Sequence, residues 1–223
     1  MVPYSVVIPA WNAAPTIVET LRSVAAQTHA PAEIILADDG STDDTVDVAN
    51  DTGIALRVLR LDHAGPGAAT TVGIAAATTR YVATLDSDDL WLPDKMRLQL
   101  AFMLERPELM ASFAHMQAFR GSPTEGLGRP VPAWSRSTMV IRAELPQLVG
   151  PMIDLPAKIG ELIDWLSRVR EMGHAIDLLP DVLAYRRIRP GSLSHVSNVD
   201  RNKGYVAAAR RALMRRGQPK EPS

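Results

Sequence analysis

The sequence predicts an α/β fold built on a mainly parallel central sheet with helices on both faces. Three observations carry this reading. Short β-rich runs alternate with helical patterns through the first half of the chain. Those runs are continuously apolar rather than alternating, as strands covered on both faces must be. Polar clusters follow directly after them, and sheets of this kind bind ligands beyond the carboxyl ends of their strands.

In chain order, Ser5-Val6-Val7-Ile8 reads as a buried strand, followed by a helix from about Thr16 to Gln27. Glu33 to Ala37 is a second strand and Asp43 to about Asn50 a second helix. Leu56 to Leu59 is a third strand, and the small residues from Pro66 to Ala76 form a closely packing helix. Tyr81 to Leu85 is a fourth strand, and Asp94 to Glu105 an amphipathic helix. Beyond about Gln117 the pattern changes. Gly121 to Pro132 is rich in Gly and Pro and reads as a loop. Thr138 to Ile141 reads as a strand, Gly160 to Met172 as a helix, and His174–Leu179 and Leu183–Arg187 as short strands. A last helix runs from about Asn202 to Arg215.

Composition narrows the function. At 223 residues the chain can form one sizeable domain, and no repeat or strong linker divides it. A net charge of -1 argues against a general polyanion binder. The absence of cysteine excludes disulfides, thiolate metal sites and cysteine nucleophiles. The N-terminus lacks the pattern of a signal peptide, and no apolar run reaches the ~20 residues that span a bilayer. The expectation is a soluble, cytoplasmic protein.

Two segments carry the chemistry. Leu85-Asp86-Ser87-Asp88-Asp89-Leu90-Trp91 places three carboxylates within four residues at a strand end. Such oxygen ligands suit Mg²⁺ or Mn²⁺, although a turn and helix cap before Pro93 would use the same residue types. Ala37-Asp38-Asp39-Gly40-Ser41-Thr42-Asp43 is the second. Gly40 allows a tight turn, and Ser41 or Thr42 can cap the next helix, with Asp44 at capping-box spacing from Ser41. A turn alone does not account for two adjacent carboxylates at a ligand-binding edge. No Gly-rich phosphate loop follows the first strand, which argues against a sugar nucleotidyltransferase and a dehydrogenase.

Together with Val7-Ile8-Pro9-Ala10-Trp11-Asn12 and with Leu92-Pro93-Asp94-Lys95, these segments closely resemble the family 2 glycosyltransferases in order, spacing and strand context. The resemblance is strong over about residues 4 to 110 and traceable to about His195. It implies a GT-A fold, similar to that of nucleotide-diphospho-sugar transferases. Residues 1–117 would be the nucleotide-sugar-binding half, 118–196 the acceptor side of the same domain, and 197–223 a basic C-terminal helix and tail. Pro9, Ala10, Asn12 and Asp39 would hold the base. Asp86 and Ser87 would face the ribose and diphosphate, and Asp88 with Asp86 would ligate Mn²⁺ or Mg²⁺. The implied reaction moves a sugar from a nucleoside diphosphate to an acceptor hydroxyl with inversion. The acceptor class stays open among glycan, lipid, peptide and small molecule.

The chain departs from the family at three places. The usual general base falls at Leu162, on an apolar stripe with Ile159, Ile163, Leu166 and Val169. Glu161 or Asp164 could serve instead; a helix-start carboxylate and an i,i+4 ion pair with Arg168 are the structural alternatives. Thr70-Thr71 stands where relatives often carry Arg-Asn, so a nucleotide contact is lost or supplied elsewhere. Arg189 stands near the place of a metal-binding His; it could neutralise the diphosphate, with His195 as the metal ligand. These departures also admit a non-catalytic nucleotide-sugar-binding or scaffold module of the same fold. The basic C-terminal helix reads as a solvated face, or as a contact with an anionic membrane surface or acidic partner. Nucleic-acid binding is not expected, since no aromatic platform accompanies the charges.

Overall fold

The computed structural model describes residues 2–155, 160–189 and 198–216. Among them the elements are β1 (Tyr4–Ala10), α1 (Ile17–Ala25), β2 (Glu33–Asp38), α2 (Thr45–Asn50), β3 (Arg57–Arg60), α3 (Pro66–Ala76), β4 (Tyr81–Thr84), β5 (Leu90–Trp91) and α4 (Lys95–Glu105). There follow β6 (Leu109–Phe119), β7 (Val131–Ala133), β8 (Val140–Arg142), α5 (Leu145–Val149), α6 (Glu161–Glu171), β9 (Ala175–Arg187) and α7 (Asn198–Arg216).

One mixed sheet joins the strands in the order β3-β2-β1-β4-β8-β6-β9-β5, with β7 added to β6. The β3-β2-β1-β4 half is parallel throughout, as the sequence predicts. Beyond it the order is mixed. β8 runs antiparallel to both β4 and β6, whereas β6 and β9 pair in parallel.

β1 is buried along its whole length and its side chains alternate between two cores. Val6 and Ile8 pack with Ile17 and Leu21 of α1 and Met96 and Leu100 of α4. Val7 packs on the other face with Ile74 of α3, Leu145 of α5 and Trp165 of α6. Helices therefore cover both faces.

Two expectations are corrected. The long strand β6 was not read from the sequence, and the two strands predicted at 174–187 are one strand, β9. β9 crosses Pro180 and Asp181 through a register irregularity opposite Ala114 and His115 of β6. A bulge is where a strand tolerates proline.

α7 packs on α6 through its basic residues. Arg215 Nη1 donates to Asp164 Oδ1 at 2.7 Å and Arg215 Nε to Glu171 at 2.8 Å. Arg211 Nε meets Asp164 at 3.3 Å. Two arginines of the expected basic surface are thus paired with carboxylates of α6, while Val206, Leu213 and Met214 lie exposed. Among the described residues no helix is long and apolar enough to cross a membrane.

Candidate active site

A cleft of about 520 Å³ opens at the carboxyl ends of β1, β2 and β4. The three strands end at Ala10, Asp38 and Thr84, so the residues just beyond each are delivered to one place. Pro9, Ala10, Asn12, Asp39, Asp86, Ser87, Asp88, Glu161 and Arg189 all line it.

At one end stands Asp39, buried to 2 % exposure. Its carboxylate accepts the backbone N–H groups of Ala64 and Gly65, each at 2.9 Å. His63 Nδ1 lies 3.0 Å from the same carboxylate, and the His63 ring lies against Trp11 with centroids 4.7 Å apart. Carboxylate oxygens carry about four lone-pair sites between them, so Asp39 keeps acceptor capacity. Asn12 adopts a left-handed backbone, φ 48°, and its side-chain oxygen accepts Thr42 N–H at 2.9 Å. Ser41 Oγ accepts Asn12 N–H at 3.0 Å. That use corrects the expected Ser41 cap of α2. The helix begins instead after Asp44, where Asp43 Oδ1 accepts the N–H of Thr45 at 3.0 Å.

The acidic loop forms the floor. Thr16 and Thr20 hydroxyls of the α1 region donate to the Ser87 carbonyl at 2.9 and 3.1 Å. Asp89 is buried, accepting Ser137 Oγ at 2.5 Å and Arg187 N–H at 2.9 Å. Burial, then the charges of Asp88 and Asp86, push its carboxyl well above the usual range. Asp88 accepts Arg189 Nε at 3.2 Å. Burial and the neighbouring Asp86 raise its pKa, partly offset by Arg189.

Arg136 faces this loop. Its Nε donates to Asp86 Oδ1 at 2.7 Å, and its Nη1 donates to Glu161. Burial works against its charge, but Asp86 and Glu161 together raise its pKa above the ordinary guanidinium value.

Asp86 and Asp88 are oxygen ligands of the kind an open Mg²⁺ or Mn²⁺ site uses, and each also pairs with an arginine, Arg136 and Arg189 respectively. Among the described residues no group of three or more such ligands forms a closed one. His195 lies outside the described residues.

Of the two candidate bases the geometry brings only Glu161 to the cleft. Asp164 is withdrawn. It is fully buried, does not line the cleft, and is held by Arg168 at 3.2 Å as well as by Arg211 and Arg215. Leu162 lines the cleft and also packs in the core. Thr70 and Thr71 turn their hydroxyls back onto the carbonyls of Pro66 and Gly67 at 2.6 and 2.9 Å, and neither lines the cleft. Sequence reasoning missed Arg136, His63, Trp134, Arg187 and Tyr205 on the cleft wall. Only Arg187 had a local signal, as the final residue of the last strand and two positions before Arg189.

A family model described as glycosyl transferase family 2 matches residues 5–154. An uncharacterized glycosyltransferase of Rickettsia felis is 42% identical over 103 residues, 45% of this chain and 17% of that protein. The Escherichia coli UDP-Glc:alpha-D-GlcNAc-diphosphoundecaprenol beta-1,3-glucosyltransferase WfaP is 38% identical over 44% of this chain and 40% of its own length. The chain therefore spans less than half of these relatives. The succinoglycan biosynthesis protein ExoO of Rhizobium meliloti aligns over 94% of this chain and 67% of its own, at 29% identity.

Among solved structures, the mannosyltransferase PcManGT from Pyrobaculum calidifontis, in complex with GDP-Man and Mn²⁺, has a TM-score of 0.77. It is 20% identical, covering 100% of this chain and 66% of that one. S. aureus TarS 1-349 with UDP-GlcNAc has a TM-score of 0.75 at 20% identity, covering 99% of this chain and 68% of that one. The fold is the GT-A fold of those enzymes.

Proposed function

The chain belongs to glycosyl transferase family 2, and from that premise we propose that it moves a sugar from a nucleoside diphosphate to an acceptor hydroxyl, with inversion. The observation that carries this is the single cleft on which Asp39, Asp86, Asp88, Arg189 and Glu161 converge. Asp39, with the Trp11–His63 pair beside it, is the base end. Asp86 and Ser87 face the ribose and diphosphate. Arg189, 3.2 Å from Asp88, is placed to share the diphosphate's charge. Asp88 and Asp86 would hold Mn²⁺ or Mg²⁺, which when bound neutralises charge on a departing diphosphate.

Glu161 stands across the cleft as the general base. It takes the acceptor's proton at a carboxylate oxygen while the acceptor oxygen bonds to the anomeric carbon. The electrons of the broken bond leave with the diphosphate. Trp134, Ile163 and Tyr205 line the same wall and shape the acceptor side.

A thermal-shift series tests this, using UDP, UDP-glucose and GDP-mannose with and without Mn²⁺. Saturating donor is expected to raise the unfolding midpoint by about 5 °C or more. Mn²⁺ should enlarge the shift, and Asp88→Ala should abolish that enlargement. No shift with any nucleotide would sink the reading, and an unchanged metal effect in Asp88→Ala would remove Asp88 from the site.

A further inference from the structure

Arg136 lines the cleft and pairs with two of its carboxylates, Asp86 and Glu161, and its backbone is held by the elements around it. It opens a short 3₁₀ turn, Arg136–Thr138. Thr84 Oγ1 of β4 donates to the Arg136 carbonyl at 2.7 Å, and Trp91 Nε1 of β5 donates to the Ser137 carbonyl at 2.7 Å. Gln99 Nε2 of α4 donates to the Thr138 carbonyl at 2.9 Å, and Ser137 Oγ donates to Asp89. The turn is thereby tied to two strands, a helix and the acidic loop.

From this anchored turn the guanidinium reaches Asp86 through Nε and Glu161 through Nη1. Its side chain is 11 % exposed and that of Glu161 7 %. A cation withdrawn this far from water is kept only where it is paired. The planar fork holds two carboxylates at a set separation, which a point-charge ammonium does not.

We propose that Arg136 is the positioning residue of the transfer, fixing the Glu161 carboxylate across the cleft from Asp86. The acceptor hydroxyl is then presented to the anomeric carbon along one line. Arg136 exchanges no proton; it acts through Glu161. The inference rests on Glu161 being the base. Misplacing a reacting group by about 1 Å costs on the order of 10²-fold in rate.

The test follows nucleotide release from UDP-glucose and GDP-mannose with Mn²⁺ and water as acceptor, alongside the affinity for UDP and GDP. It compares the wild type with Glu161→Gln, Arg136→Gln, Arg136→Lys and the double variant Glu161→Gln/Arg136→Gln. Each single glutamine variant is expected to lower kcat by about 10²-fold. In the Glu161→Gln background, adding Arg136→Gln should change kcat by less than about twofold, as residues acting as a unit are not additive. Nucleotide affinity should move by less than about threefold in Arg136→Gln, and Arg136→Lys, which keeps the charge without the fork, should stay about tenfold or more below the wild type in kcat. A fall of kcat in the double variant by the product of the single losses overturns the inference alone. So does a loss in Arg136→Gln that lies wholly in nucleotide affinity. Glu161→Gln as fast as the wild type, or no release by the wild type, overturns the Glu161 reading and the inference with it. The Arg136→Lys variant separates a lost position from a lost fold, since it keeps the charge.

Discussion

Asp164 and Glu161 are three residues apart on one helix and have different surroundings. Asp164 sits at zero exposure, within 2.7 to 3.3 Å of Arg168, Arg211 and Arg215. Removing one partner of a buried ion pair leaves its counter-charges uncompensated. Asp164→Asn is therefore expected to cost about 3 kcal/mol, a fall of about 6 to 12 °C in unfolding midpoint, with UDP affinity retained. Thermal unfolding and a UDP titration check this; full stability with lost turnover would return Asp164 to the catalytic candidates. At this scale the cleft-lining residues at the strand ends were legible in the sequence. Asn12, Asp39 and Asp86–Asp88 each follow their own strand within a few positions, so local order already places them. Arg136 was not legible. It is a lone arginine in a Ser-rich stretch, separated in sequence by 50 residues from Asp86 and by 25 from Glu161, and only the folded chain unites the three.

Helix α3 shows how tightly an element can be seated. A Cβ at Gly73 would lie 2.3 Å from Val7 Cγ1 of β1, and Ala37 of β2 is 3.5 Å away. Alanine gains about 1 kcal/mol of helix propensity over glycine. Overpacking costs about 1–3 kcal/mol, and the obstacle here is a β-branched core side chain with little freedom. Gly73→Ala is accordingly expected to lower stability by about 1 kcal/mol net, read from the midpoint of urea unfolding. A stabilised variant would show that β1 and α3 can part. Elements with continuous apolar runs, β1, β2 and β4, were read correctly because burial on both faces writes itself into composition. β6 mixes Ala, Ser, His and Gln with its apolar residues and carries no clear period. β9 carries a proline that locally argues for a break. Its continuity comes from the pairing with β6, a tertiary contact that no local pattern reports.

At the scale of the whole molecule, pH reports on one buried charge. Lys95 is fully buried, with its Nζ 4.2 Å from the centre of the Trp91 ring, and burial pushes its amine well below the ordinary value of 10.5. A lysine so depressed binds fewer protons folded than unfolded. Wild-type stability therefore climbs with pH between the folded value and 10.5 from this group's contribution. Lys95→Met is expected to be more stable than the wild type near neutral pH by about 1 kcal/mol, the cation–π contact offsetting part of the gain. That advantage should shrink as the pH approaches about 10. Denaturant midpoints of both proteins across this range check it; an advantage independent of pH would mean that Lys95 does not titrate as burial dictates.

The start of α6 meets a different kind of limit. Gly160 has φ 93°, and a Cβ there would stand 2.8 Å from the carbonyl oxygen of Gly204 in α7. A peptide oxygen has no side chain to shorten, so no substitution in α7 clears the space by trimming. Residue 160 is thereby closed to sequence drift by an obstacle that cannot itself mutate. A lineage that changes it has to move a helix, and the Glu161 carboxylate travels with the backbone that moves.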